Sequence, residues 1–260
     1  MPPEIAVWWP FGVPAGPGIP LVCLPYAGGG ASIFRAWKRS PPPGIEICPL
    51  QLPGREGRLR EAPHRCVETL VAEILPPLRP LIGRPFALFG HSMGALIAFE
   101  LARRLRAEGA PVPAHLFVSG HRAPQLPNPR SPLAHLPDAA FLAELRTRYD
   151  GVPAEVLRHP DLMALLLPCL RADLALVEDY QCDVAEPLAC PISVYGGEDD
   201  PVANEAELAA WRAQTRGEFT LTRFAGTHFF IRSAREELLA ALSRELALVP
   251  ETMVGGSGRR

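Results

Sequence analysis

Short apolar runs recur along the chain, and each ends in turn chemistry. Leu21–Leu24 leads into Pro25-Tyr26-Ala27-Gly28-Gly29-Gly30, Ile45–Leu50 into Gln51-Leu52-Pro53-Gly54, and Phe86–Phe89 into Gly90-His91-Ser92-Met93-Gly94. Leu116–Val118 leads into Ser119-Gly120-His121, Ile192–Tyr195 into Gly196-Gly197-Glu198-Asp199-Asp200, and Phe219–Phe224 into Ala225-Gly226-Thr227-His228. Runs of this length bounded by Gly and Pro predict strands, and Ile5–Trp9 predicts an edge strand. Helical periods lie between them. Val67, Leu70, Val71 and Ile74 repeat at close to 3.6 residues, with Pro76-Pro77 expected to end or kink that helix. Ala95–Leu105 repeats the pattern, with Arg103, Arg104 and Arg106 towards the end where the helix dipole favours cations. Ala206–Ala213 and Arg235–Leu248 are similar, and a short helix is expected over Ala31–Trp37. Strands alternating with helices predict a mostly parallel α/β sheet covered on both faces.

One connection is too long for a single crossover. About 70 residues separate Gly120 from Pro191. Within them Pro137–Asp138 starts a pattern running to Tyr149. A longer one, capped by Asp161, carries Met163, Leu166, Leu167, Leu170, Leu174, Val177 and Tyr180, and Pro168 should kink or split it. An inserted helical lid over residues 125–187 is the expectation, because inserted segments at that sheet edge border the ligand crevice. The core is then 1–124 and 188–249, and the Gly/Ser/Arg-rich 250–260 is expected to be a disordered tail.

Composition narrows the class. The 260 residues are 48% hydrophobic and 21% charged, with net charge −2. That balance supplies no basic field for nucleic acid or anionic membrane. No apolar run approaches membrane-spanning length, and Met-Pro-Pro-Glu lacks signal-peptide character, so a cytoplasmic protein is expected. The six cysteines show no CxxC spacing and are expected to be free structural thiols. There is no metal-spaced His or Cys cluster and no cofactor motif, and no long heptad or exposed strand argues against a monomer.

The chemistry concentrates at the strand ends. Gly90-His91-Ser92-Met93-Gly94 matches G-x-S-x-G between a strand and a helix, the context in which a sharp turn lifts the serine oxygen above an α/β-hydrolase sheet. The competing reading is a Gly-rich packing turn with a capping Ser. The Met93 N–H, at the helix start, would then serve as one oxyanion donor. A nucleophilic serine needs a base and an orienting carboxylate, in the order Ser, acid, His. Of seven His, only His228 follows a late strand in a small-residue turn. Glu198, Asp199 and Asp200 all follow the preceding strand. The spacing from Gly197 and to Val202 selects Asp200, with Asp199 as its rival. The Gly-rich loop after the first core strand offers the Ala27 N–H as second oxyanion donor. A phosphate cradle is less apt there, since no P-loop Lys follows.

Five segments together resemble the type II thioesterases that accompany non-ribosomal peptide and polyketide synthases. They are Leu24-Pro25-Tyr26-Ala27-Gly28-Gly29, Leu52-Pro53-Gly54-Arg55-Glu56, Phe89-Gly90-His91-Ser92-Met93-Gly94-Ala95, Gly196-Gly197-Glu198-Asp199-Asp200 and Gly226-Thr227-His228-Phe229-Phe230. They run in the family's order across about residues 18–248, and Tyr26 departs mildly from it, since relatives often carry Phe or His there. The resemblance implies an α/β-hydrolase fold with a mobile helical lid. It also implies an acyl substrate thioester-linked to the phosphopantetheine arm of a carrier protein, and an editing role. The residues by themselves indicate serine acyl transfer to water. Arg55, Arg58, Arg60 and Arg65, offset by Glu56 and Glu61, read as a solvated loop before a carrier-docking patch, and within the family's pattern Arg55 and Glu56 tie a loop together. The alternative enzyme is a carboxylesterase or lipase acting on free esters. A malonyl-type acyltransferase would leave the Asp200 turn without a task, and a catalytically silent binding module would be expected to lack a triad member.

Overall fold

The computed structural model describes residues 3–149 and 160–248; the expected tail, 250–260, lies outside them. Among the described residues six strands form one wholly parallel sheet: β1 Ile19–Leu24, β2 Ile45–Pro49, β3 Ala87–His91, β4 His115–Ser119, β5 Ile192–Gly197 and β6 Phe219–Phe224, in the spatial order β2-β1-β3-β4-β5-β6. The period-2 pleat divides their apolar side chains between two layers. Val22, Leu24, Leu88, Leu116, Val118, Ile192 and Val194 face one core, while Leu21, Cys23, Ala87, Phe89, Phe117 and Tyr195 face the other. The central strands are apolar throughout because both faces are covered; β6, at the edge, is only half-buried.

The first segment is not a strand. A single helical turn, α1, spans Pro3–Ala6, and Trp8 and Trp9 then plug the first core. The Trp8 carbonyl accepts from the Gln51 N–H, and the Trp9 indole donates to the Pro77 carbonyl. The apolar residues of Ile5–Trp9 thus fill space beside the end of β2 without pairing with it. After β1 come a 3₁₀ turn, Ala31–Phe34, and α2, Arg35–Arg39. Helices α3, Val67–Leu78, and α4, Met93–Ala107, cover the face of the first core. Pro76 and Pro77 lie inside the last turn of α3, which ends at Leu78.

Beyond β4 come α5, Asp138–Tyr149, and α6, Pro160–Glu178. Pro168 lies within α6 and does not divide it, and Asp161 sits in its first turn. Leu133, Phe141, Leu145 and Leu174 form a third, smaller core between these two helices. Glu178 accepts the Leu133 and Ala134 N–H groups, and Arg171 donates to the Ala134 carbonyl and pairs with Asp138. Then follow α7, Glu205–Ala209, continued by a 3₁₀ turn to Gln214, then α8, Phe230–Ser233, and α9, Arg235–Leu246, whose Leu238 and Leu242 cover the second core. All six cysteines are free, and Cys23, Cys48, Cys169 and Cys190 are buried.

Chain order reverses across β1, whose neighbours are β2 and β3. A crevice at the C-terminal strand ends forms at such a switch point. Leu24, the last residue of β1, is in register with Gly90 of β3, so the Gly-rich loop and the serine turn leave the sheet side by side.

Candidate active site

Ser92 occupies the turn between β3 and α4 at φ 53°, ψ −118°. This left-handed conformation is costly for a residue with a Cβ, and such strain is tolerated where the surroundings over-determine it. Two bonds do so: the Ser92 N–H donates to the Ser119 carbonyl at 2.7 Å, and the Ser92 carbonyl accepts from Ala95 N–H at 2.9 Å. The flanking glycines are steric requirements. A Cβ at Gly90 would overlap the Gly94 carbonyl, and one at Gly94 would overlap the Leu24 carbonyl. Met93 opens α4, so its N–H is one of the four that a helix leaves without an internal partner.

His228 follows β6 in the turn before α8. Its Nδ1 lies 2.9 Å from Asp200 Oδ2, and both side chains are buried. Asp200 Oδ1 accepts the Val202 N–H at 2.8 Å, which aims the second oxygen at the imidazole. The neighbouring Asp199 and Glu198 are tied to β6 and its following turn through their backbone N–H groups. Ser92, Met93, His228 and Ala27 line one apolar cavity of about 60 Å³ with Tyr26, Phe229, and Leu145, Tyr149, Leu170, Leu174 and Val177 of α5 and α6. A wider groove of about 260 Å³ shares Tyr26, Ala27 and Leu170 and extends over the Gly-rich loop.

Two further imidazoles stand behind His228. The His91 ring is 5.0 Å from it, with Nδ1 on the Ser119 hydroxyl at 2.9 Å. Burial, reinforced by His228, pushes the His91 pKa well below its ordinary value. Burial pushes His121 down to about 4. Both stay neutral at neutral pH, so His228 is flanked by uncharged rings.

The basic stretch departs from the solvated-loop reading at two positions. Arg55 and Arg58 are buried. Arg58 lies over the Trp8 ring at 4.0 Å and pairs with Glu61 and Glu73. Arg55 forms a two-pronged ion pair with Asp173 of α6, while Glu56 accepts from Ser32, so both members of the Arg-Glu turn do tie loops together. Sequence reasoning missed Asp173. Its signal was a lone carboxylate on the apolar face formed by Leu170, Leu174 and Val177. Among the described residues no group of His, Cys, Asp or Glu could hold a metal ion.

Parallel sheet, strained serine turn and His–carboxylate pair define a serine hydrolase of the α/β-hydrolase superfamily. A family profile for the thioesterase domain matches residues 19–246. The chain belongs to this family, as a type II thioesterase. It is 44% identical over 229 residues to the gramicidin S biosynthesis protein GrsT of Aneurinibacillus migulanus, covering 88% of this chain and 89% of that protein. Among solved structures it resembles RedJ, a thioesterase from the prodiginine biosynthetic pathway in Streptomyces coelicolor, with 39% identity, TM-score 0.79, and coverage of 92% and 93% of the two chains. It also resembles YbtT, a type II thioesterase from the yersiniabactin NRPS/PKS pathway, with 32% identity, TM-score 0.80, and coverage of 90% and 95%.

Proposed function

We propose that this enzyme hydrolyses acyl groups from the phosphopantetheine arm of carrier proteins, clearing stalled or misprimed synthases of secondary metabolism. The observation that carries the mechanism is the buried 2.9 Å contact between His228 Nδ1 and Asp200 Oδ2, behind a cavity that Ser92 also lines. Asp200 keeps the Nδ1 proton in place, leaving Nε2 free to act as base. Ser92 Oγ attacks the thioester carbonyl and His228 takes its proton. The N–H groups of Met93 and Ala27 receive the oxyanion. On collapse the C–S bond breaks, the pantetheine thiol leaves with the proton from His228, and an acyl-Ser92 ester remains. Water, deprotonated by His228, then releases the acid and restores the serine.

The apolar faces of α5 and α6 act as a lid over this chemistry, and the acyl chain lies against Leu145, Leu170, Leu174 and Val177. Kinship with thioesterases of peptide and polyketide pathways supports a carrier-bound thioester over a free ester. The setting we infer is cytoplasmic, with the enzyme a monomer. The free cysteines support a reducing compartment. Among the described residues no helix is long and apolar enough to cross a membrane.

The test is intact-mass analysis of acetyl- and longer acyl-loaded carrier protein incubated with wild type or Ser92→Ala. Loss of the acyl mass with wild type alone is expected, fastest for short chains because the cavity is small. An unchanged carrier together with rapid turnover of a p-nitrophenyl ester would transfer the enzyme to the carboxylesterases. Near-normal turnover in Ser92→Ala would overturn the serine mechanism.

A further inference from the structure

Where α6 meets the Gly-rich loop, one buried carboxylate gathers three N–H groups. Asp173 accepts from Arg55 at 2.7 and 2.8 Å and from the Gly28 backbone N–H at 2.7 Å. The Asp173 and Arg55 side chains are 2% and 5% exposed, so the pair is sealed from solvent. Arg55 also donates to the Gly29 carbonyl, at 3.2 Å. Leu170, one helical turn before Asp173, packs directly on Gly28: a Cβ there would come within 2.9 Å of Leu170 Cδ1. Helix, loop and the Pro53-Gly54-Arg55 turn therefore meet at a single ion pair.

The loop's conformation gives this carboxylate a task. The Gly29 N–H donates to the Tyr26 carbonyl at 2.9 Å, and Gly28 has φ +75°. That is a type II turn with glycine in the position that demands positive φ. Asp173 holds the Gly28 N–H while Leu170 packs on the same residue, so α6 fixes where this turn sits against the sheet edge. The preceding residue, Ala27, carries its N–H on the Tyr26–Ala27 peptide at the entry to the turn, and its position at the cavity wall beside Ser92 and Met93 follows the placement of Gly28.

We infer that Asp173 is a positioning residue for hydrolysis: through Gly28 it sets the Ala27 N–H, so that the oxyanion hole is complete only when α6 is seated on the loop. This rests on the proposed role of Ala27 as an oxyanion donor. It makes the helix over the acyl cavity also the support of the hole, so an acyl group that unseats α6 slows its own hydrolysis.

Asp173→Ala alone would strand the Arg55 charge in the interior and threaten folding. Two double variants avoid this, R55M/D173L and R55M/D173N. Both lack the ion pair, and only the second keeps an acceptor for the Gly28 N–H. The assay is p-nitrophenyl acetate hydrolysis, which needs no carrier docking, with a thermal melt of each protein. The expected result is kcat reduced about 10–100-fold in R55M/D173L with KM within about threefold, and at least half of that loss, on a logarithmic scale, recovered in R55M/D173N. Equal kcat in the two variants at comparable Tm, whether high or low, would overturn the inference. Wild-type turnover by Ser92→Ala in the same assay would instead remove the mechanism on which it rests.

Discussion

Ser92 and its two glycines illustrate a motif whose meaning is local. A strand that must turn into a helix within a few residues leaves no room for a Cβ at Gly90 or Gly94, so the requirement is written directly in the pentapeptide. His228 was legible through chain order. Spacing from Gly197 and to Val202 favoured Asp200 over Asp199, but adjacent acids differ chiefly in side-chain direction, which spacing does not give. The Val202 N–H bond to Asp200 Oδ1 supplies that direction. Asp200→Asn is accordingly expected to lower kcat by about 10⁴, because the amide stabilises the wrong tautomer of His228. Asp199→Asn, whose side chain has no part in the mechanism, is expected to stay within about threefold of wild type. Steady-state kinetics on one acyl substrate checks both, and equal losses would reopen the assignment. Asp173 lies at the other extreme: its partner Arg55 is 118 positions away, and no spacing rule joins them.

At the scale of elements, periodicity anticipated the six core strands and the two long helices after β4, and it failed where apolar residues serve packing without pairing. Ile5–Trp9 has strand-like composition, but its tryptophans are wedges beside the sheet. Pro168 misled in the opposite direction. An interior proline removes one helical hydrogen bond and crowds the carbonyl four residues earlier. Here both Pro168 and Ala164 are exposed, so water can serve the freed carbonyl. The flanking turns are held by Met163 and Cys169, which are buried, and by Asp173. The helix continues because its tertiary contacts outweigh one missing bond. Pro168→Ala is therefore expected to stabilise the protein. The gain is about 1–2 kcal/mol after allowing for the greater freedom of the unfolded chain, or several degrees in Tm by scanning calorimetry. A lower Tm would show that the ring itself packs usefully in α6.

Across the whole molecule, the same burial that keeps the site dry makes stability depend on pH. His91, His115 and His121 are all inside the protein. Burial pushes His115 and His121 from the ordinary 6.5 down to about 4, and pushes His91 well down too, with His228 adding to it. Above pH 6.5 these rings are neutral in both folded and unfolded chains and contribute no pH dependence. As pH falls below 6.5 the unfolded chain takes up protons that the folded chain refuses. The folded state loses stability until the pH reaches the folded-state values, which are about 4 for His115 and His121. Each ring contributes about 1.4 kcal/mol per pH unit at most, so three acting together give a steep decline well before most carboxylates titrate. His115 allows a clean test, because it is remote from the mechanism, on β4, with Nε2 2.8 Å from the Ser193 hydroxyl. His115→Gln keeps a polar group for Ser193 but cannot titrate. Urea unfolding followed from pH 7 to pH 4.5 is expected to show a shallower loss of stability in His115→Gln, by about one proton's slope, with similar activity at pH 7. Parallel stability curves for the two proteins would mean that His115 does not change its protonation on unfolding, and the decline would then belong to the imidazoles behind the active site.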